Sequence, residues 1–110
     1  MLYPRLRSDN FVYDGFLPHK KGRQTKWKEI ADSERTVVVY ESPHRIIKAL
    51  EEAKEFLQPE RQIAVCREIS KFFHETKRGT AAELLQYYTD HPAKGEIVIV
   101  VSPHSYFFLL

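Results

Sequence analysis

Apolar and polar positions along this chain alternate between two rhythms, one of strand length and one with helical spacing. Phe11–Phe16 has the aromatic and β-branched content of a strand. Leu17-Pro18 and Gly22 then break the pattern, which leaves a basic loop at residues 19–23. Residues 23–31 predict a short helix with Trp27, Ile30 and Ala31 on one side. The run Thr36-Val37-Val38-Val39-Tyr40 is apolar without interruption, the pattern of a strand covered on both faces. Ser42 is a good helix N-cap and Pro43 suits the first helical position, so a helix is expected from there to about Leu57. Ile46, Ile47, Leu50, Ala53 and Leu57 form its buried stripe, and Pro59 ends it.

Residues 62–66 read as a second buried strand and 72–79 as a further one, with His74, Thr76 and Arg78 opposite Phe73, Glu75 and Lys77. Thr80 and Glu83 form a Thr-x-x-Glu capping box at the head of a helix over Ala81–Asp90. Gly95 precedes a last strand at 96–101. Strands alternating with helices indicate an α/β layer fold. The strands at 62–68 and 72–79 have no helix between them and are more easily antiparallel, so the sheet is expected to be mixed, flanked by helices.

Composition narrows the class. One hundred and ten residues, 43% hydrophobic and 13% aromatic, suffice for one core and argue against disorder. No apolar run approaches the roughly 18–20 residues that span a bilayer, and the N-terminus lacks a signal-peptide core, so a cytoplasmic protein is expected. The single Cys66 excludes an internal disulfide and a multi-cysteine zinc site. Net charge is only +2, but residues 1–30 carry seven Lys and Arg against three acids, while residues 31–60 carry four against seven. A basic first third suits a phosphate-bearing partner, though a solvated helix face gives the same count.

Three places offer chemistry. At the strand-to-helix turn 40–45, ligands collect in open α/β sheets, and a helix N-terminus there presents free N–H groups. Glu41 and Arg45 could reach a ribose hydroxyl or phosphate from it, or could simply pair with each other at i,i+4. Cys66-Arg67-Glu68-Ile69, at the end of the next strand, is a second. The loop His19-Lys20-Lys21-Gly22-Arg23 suits phosphate contact and is the third. The five histidines show no metal-ligand spacing, and no P-loop, Gly-x-Ser-x-Gly or Gly-x-Gly-x-x-Gly occurs. No general base stands out.

Several segments together resemble one known family. They are Phe16-Leu17-Pro18 with Lys20-Lys21-Gly22-Arg23, Tyr40-Glu41-Ser42-Pro43-His44-Arg45, Ala64-Val65-Cys66-Arg67-Glu68 with Lys71 and Phe73, Arg78-Gly79-Thr80, and Lys94-Gly95-Glu96-Ile97-Val98. The pattern is similar to the C-terminal domain of the small-subunit ribosomal RNA cytidine 2′-O-methyltransferases, a branch of the tetrapyrrole (corrin/porphyrin) methylase superfamily. The resemblance covers residues 11–101 and leaves 1–10 and 102–110 unassigned. It implies two α/β domains in the whole protein, S-adenosylmethionine bound between them, a ribosomal RNA or small-subunit partner, and a homodimer. Carried over by position, it implies cofactor contacts at Tyr40, Glu41, Ser42, Glu68 and Ile69, and RNA contacts at Lys20, Lys21, Arg23 and Arg45. It further implies a truncated chain, inactive alone, with an apolar face where the partner domain would sit. A tetrapyrrole methylase and a non-catalytic RNA-binding or dimerisation module are the alternatives.

Overall fold

The structure, a computed structural model, describes residues 11–18, 20–70 and 73–104, with 11–14, 68–70 and 73 described in their backbone alone. The chain ends at 1–10 and 105–110, His19, Lys71 and Phe72 lie outside the described residues.

Eight elements follow the expected order: β1 (Phe11–Phe16), α1 (Arg23–Asp32), β2 (Thr36–Glu41), α2 (Ile46–Phe56), β3 (Ile63–Ser70), β4 (Phe73–Gly79), α3 (Ala81–Asp90) and β5 (Ile97–Val101). The strands form one sheet in the order β1-β2-β5-β3-β4. β1 runs parallel to β2, while β2–β5, β5–β3 and β3–β4 are antiparallel. The sheet is mixed, as the missing helix between β3 and β4 suggested. β5 enters between β2 and β3, which therefore run in the same direction.

One departure concerns coverage of the sheet. Val37, Val39, Ile63, Val65, Ile97, Ile99 and Val101 point to one face, where they pack with Trp27, Ile30, Ala49, Leu50, Ala53, Leu84 and Tyr88 from the three described helices. Val38, Tyr40, Ala64, Cys66, Val98 and Val100 form a separate cluster on the other face, made of strand residues alone. The uninterrupted valine run thus reflects two apolar faces, of which the described helices cover only one.

A second departure concerns the start of α2. Ser42 does not cap it. The Ser42 carbonyl accepts from the Arg45 N–H at 2.9 Å and its Oγ from the His44 N–H at 3.2 Å, which closes a separate turn over residues 42–45. The helix begins at Ile46, with the Arg45 carbonyl accepting from the Ala49 N–H. By contrast, the capping box of α3 forms as the spacing required: Thr80 Oγ1 accepts from the Glu83 N–H, and the Glu83 carboxylate accepts from the Thr80 N–H at 2.8 Å.

Residues 102–104 belong to the fold. The Ser102 N–H donates to the Gln62 carbonyl and the His104 N–H to the Ser33 carbonyl.

Candidate functional site

Because β1, β2 and β3 run in the same direction, their C-terminal ends share one end of the sheet. This brings together the two turns that the sequence singles out. Tyr40 pairs with Val98, which pairs with Cys66, and Glu41 lies likewise across Ile97 from Arg67. One strand separates the two turns, a spacing of roughly 10 Å across the sheet. The described backbone of Glu68 and Ile69 continues β3 at this end, opposite the start of β4.

Tyr40 and Glu41, adjacent in sequence, face opposite ways. Tyr40 lies on the face without helices, its ring 5.6 Å from that of Phe16. Glu41 turns inward and is buried. One of its oxygens accepts from the Ser42 N–H at 2.8 Å, and the other lies 3.4 Å from Arg23 Nη2. Each oxygen of the carboxylate has one partner inside the protein. Glu41 thereby ties the start of the turn to α1.

Arg23 is the hub of this arrangement. It sits in the first turn of α1, 4% exposed. Its Nε donates to Glu52 Oε1 on α2 at 2.6 Å, and its Nη1 donates to the Pro18 carbonyl at 2.9 Å. Trp27 Nε1 donates to the same Glu52 oxygen at 3.3 Å. Three elements and the loop after β1 meet on one guanidinium whose planar fork matches these acceptors. The sequence places Arg23 among the RNA-phosphate contacts; in the fold three of its nitrogens bond to internal oxygens and its side chain is almost wholly buried. Lys20 and Lys21, by contrast, are exposed, and Arg45 is half-buried at the head of α2. Gly22 allows the change of direction between them, with a φ of 86° at the α1 N-cap.

The chain was compared with known proteins on this footing. The model of the tetrapyrrole (corrin/porphyrin) methylases matches residues 6–85. This chain belongs to the tetrapyrrole methylase family. It is 38% identical over 98 residues to ribosomal RNA small subunit methyltransferase I of Synechocystis sp., covering 88% of this chain and 35% of that protein. It is 41% identical over 104 residues to the protein of the same name from Vibrio cholerae, covering 92% and 35%. The chain thus spans about a third of the length of the curated relatives it matches. Among solved structures, a cobalt-precorrin-4 methyltransferase superposes with a TM-score of 0.61 at 13% identity, over 88% of this chain and 43% of that one. The methyltransferase CobJ superposes at 0.59 and 17% identity, over 86% and 41%. At these identities the two structures speak for the fold alone.

Other polar groups of the chain lie away from the two turns or at their edge. Arg67, on the helix-side register of β3, donates to Glu75 Oε1 across the β3–β4 pair at 2.8 Å and to the Lys94 carbonyl. The Glu75 hydrogen bond raises its pKa. Burial pushes the Cys66 thiol up, against a hydrogen bond from Thr76, so the thiol is not activated. The sequence reading missed Arg61, which is 2% exposed at the opposite end of the sheet. It donates to the carbonyls of Ser102, Ala31 and Ile30 at 2.8–2.9 Å and to Gln58 Oε1 at 2.7 Å. Only its place just before β3, ahead of an apolar run, could have marked it.

Proposed function

We propose that this chain is the C-terminal part of an S-adenosylmethionine-dependent methyltransferase that modifies the 2′-hydroxyl of a cytidine in small-subunit ribosomal RNA. The reading rests on the identity, 38% and 41% over about nine-tenths of the chain, to proteins named ribosomal RNA small subunit methyltransferase I. The corrinoid-type methyltransferases share the fold at 13% and 17% identity, which favours the RNA branch over a tetrapyrrole substrate. In this reading residues 11–101 form the domain, joined to a further α/β domain in a cytoplasmic homodimer.

Tyr40, Ser42, Glu68 and Ile69 would line the cofactor side of the sheet end. The half-buried Tyr40 ring and the turn at Ser42 fit an adenosine-type group there, whereas the Glu41 carboxylate is occupied and supports the turn from behind. S-adenosylmethionine supplies the electrophilic methyl group. Lys20, Lys21 and Arg45 would hold RNA phosphates so that the ribose hydroxyl lies in line with it, and most of the acceleration comes from that placement. The chain would have no turnover alone, because the rest of the site lies in the remaining two-thirds of the relatives' length.

The test is methyl transfer from labelled S-adenosylmethionine to naked ribosomal RNA and to assembled small subunits. The chain is assayed alone and fused to the remaining N-terminal part of the Vibrio cholerae relative. Label in a 2′-O-methylcytidine with the fusion alone is expected. Label on a base, or none with the folded fusion, overturns the reading.

A further inference from the structure

Among the described residues Phe16 is the large hydrophobic that stands most clearly in solvent, 68% exposed, at the end of β1. Its direction is set by an irregularity in the strand. β1 pairs with β2 in register from Phe11 to Tyr13, then slips, so that Gly15 lies opposite Val39 and Phe16 opposite Tyr40. Without the slip, Phe16 would fall opposite Glu41, on the face covered by helices. The bulge carries it to the open face instead, with Gly15 at a φ of 65°. Nothing lies within 4 Å of where a Gly15 side chain would begin, so glycine is needed here for its dihedral angle and not for space.

The outcome is an aromatic pair, Phe16 and Tyr40, with ring centroids 5.6 Å apart and planes at 45°. Four and five residues beyond Phe16 the chain carries the exposed Lys20 and Lys21. These stretches reach at most about 14 and 18 Å, so both cations lie within a few nucleotides' span of the exposed ring. An exposed ring beside cations matches single-stranded RNA, in which bases stack and phosphates pair.

We propose that Phe16, backed by Tyr40, is a stacking platform for an unpaired RNA base whose flanking phosphates lie on Lys20 and Lys21. The proposal rests on the RNA reading above and adds to it a place for the base.

The experiment compares binding of this chain to two labelled probes of equal charge, a ten-nucleotide oligocytidine RNA and an abasic ribose-phosphate oligomer of the same length. Phe16→Ala is expected to weaken oligocytidine binding about ten-fold and to leave the abasic oligomer unchanged. Phe16→Trp, which keeps a ring, is expected to bind oligocytidine at least as tightly as the parent. Lys20→Gln with Lys21→Gln is expected to weaken both probes alike and to lower the salt slope by about 0.7 per charge removed. Equal affinity of the parent for both probes, or equal losses of both in Phe16→Ala, overturns the platform and leaves RNA binding standing. Failure of the parent to bind either probe overturns the platform together with the phosphate contacts of Lys20 and Lys21, and the methyl-transfer assay of the fusion still decides the enzyme reading.

Discussion

Two buried arginines hold opposite ends of this sheet, and they do so with different partners. Arg61 donates to the carbonyls of Ile30, Ala31 and Ser102 and to the amide oxygen of Gln58. Two of these are carbonyls at the end of α1, the negative end of the helix dipole, where the Ile30 carbonyl also accepts from the Ser33 N–H. Arg23, at the end where the two candidate turns meet, is held mainly by the carboxylates of Glu41 and Glu52. Arg61 therefore satisfies backbone that any sequence with this fold would present, whereas Arg23 depends on two particular side chains. The first is scaffold. The second fixes the position of one turn, through the Glu41 oxygen that accepts from the Ser42 N–H.

Removing Arg61 is expected to have the largest effect. Arg61→Ala takes the guanidinium from three buried carbonyls, of which only Ile30 keeps another donor, the Ser33 N–H, at a cost of about 4 kcal/mol in thermal or urea unfolding. Arg61→Lys should recover less than half, because one ammonium cannot reach acceptors arranged around a planar fork. Arg23→Ala should cost about 3 kcal/mol by stranding two carboxylates, of which Glu41 is buried and Glu52 partly so. The comparison is sharpened by native-state hydrogen exchange. Arg23→Ala should speed exchange at Ser42 beyond the global loss of stability, and Arg61→Ala should not. Equal acceleration in both variants would mean that Arg23, too, is only scaffold.

What could be read from the chain, and what could not, follows the range of each interaction. The Thr80–Glu83 capping box and the α2 stripe at Ile46, Leu50 and Ala53 depend on neighbours within four residues, and the structure contains them. So does the pairing of β3 with β4 across a short connection. Arg23 meets Glu41 and Glu52 at separations of 18 and 29 residues, and nothing local distinguishes it from Lys20 and Lys21. In sequence it belongs to the basic loop, whereas in the fold three of its nitrogens bond to internal oxygens. The direction of Glu41 was hidden for a related reason: an apolar run on both faces does not say which face the helices cover. Ser42 shows a local signal with the wrong span, since its hydroxyl closes a turn before the helix.

Alkaline pH tests whether the arginines alone account for the buried polar energetics. Burial lowers the Arg61 pKa, but a guanidinium begins so far above the working range that it stays charged there. Burial raises Cys66 from 9.0 and also raises Tyr88, whose hydroxyl is buried without a hydrogen-bond partner. A raised acid keeps its proton in the fold while the unfolded chain releases it. Its contribution is therefore complete below the unfolded pKa and is lost as pH rises toward the folded one. Unfolding free energy should begin to fall near pH 9 through Cys66 and, from about pH 10, through Tyr88. Tyr88→Phe should flatten the upper part and, by removing an unpaired hydroxyl, add about 1 kcal/mol at neutral pH. A steep alkaline loss that persists in a Cys66→Ala, Tyr88→Phe chain would show that groups other than these two carry it.

A third arginine sets the lower bound of the series. Arg67 faces Glu75 across the β3–β4 pair at 2.8 Å, with both side chains partly exposed. Water reaches this pair, so its Coulomb attraction is screened and neither partner is stranded when the other is removed. Glu75→Gln keeps the shape and a hydrogen-bond acceptor for Arg67 Nε while removing the charge. Its cost should be about 0.5 kcal/mol at low salt, shrinking further as salt is raised. The cost of Arg23→Ala should hardly respond to salt, because the Arg23–Glu41 pair lies out of contact with solvent. If Glu75→Gln costs as much as Arg23→Ala, and keeps that cost in salt, burial is not what separates these arginines. The number of oxygen partners would then be the controlling variable, with Arg61 first because it has the most.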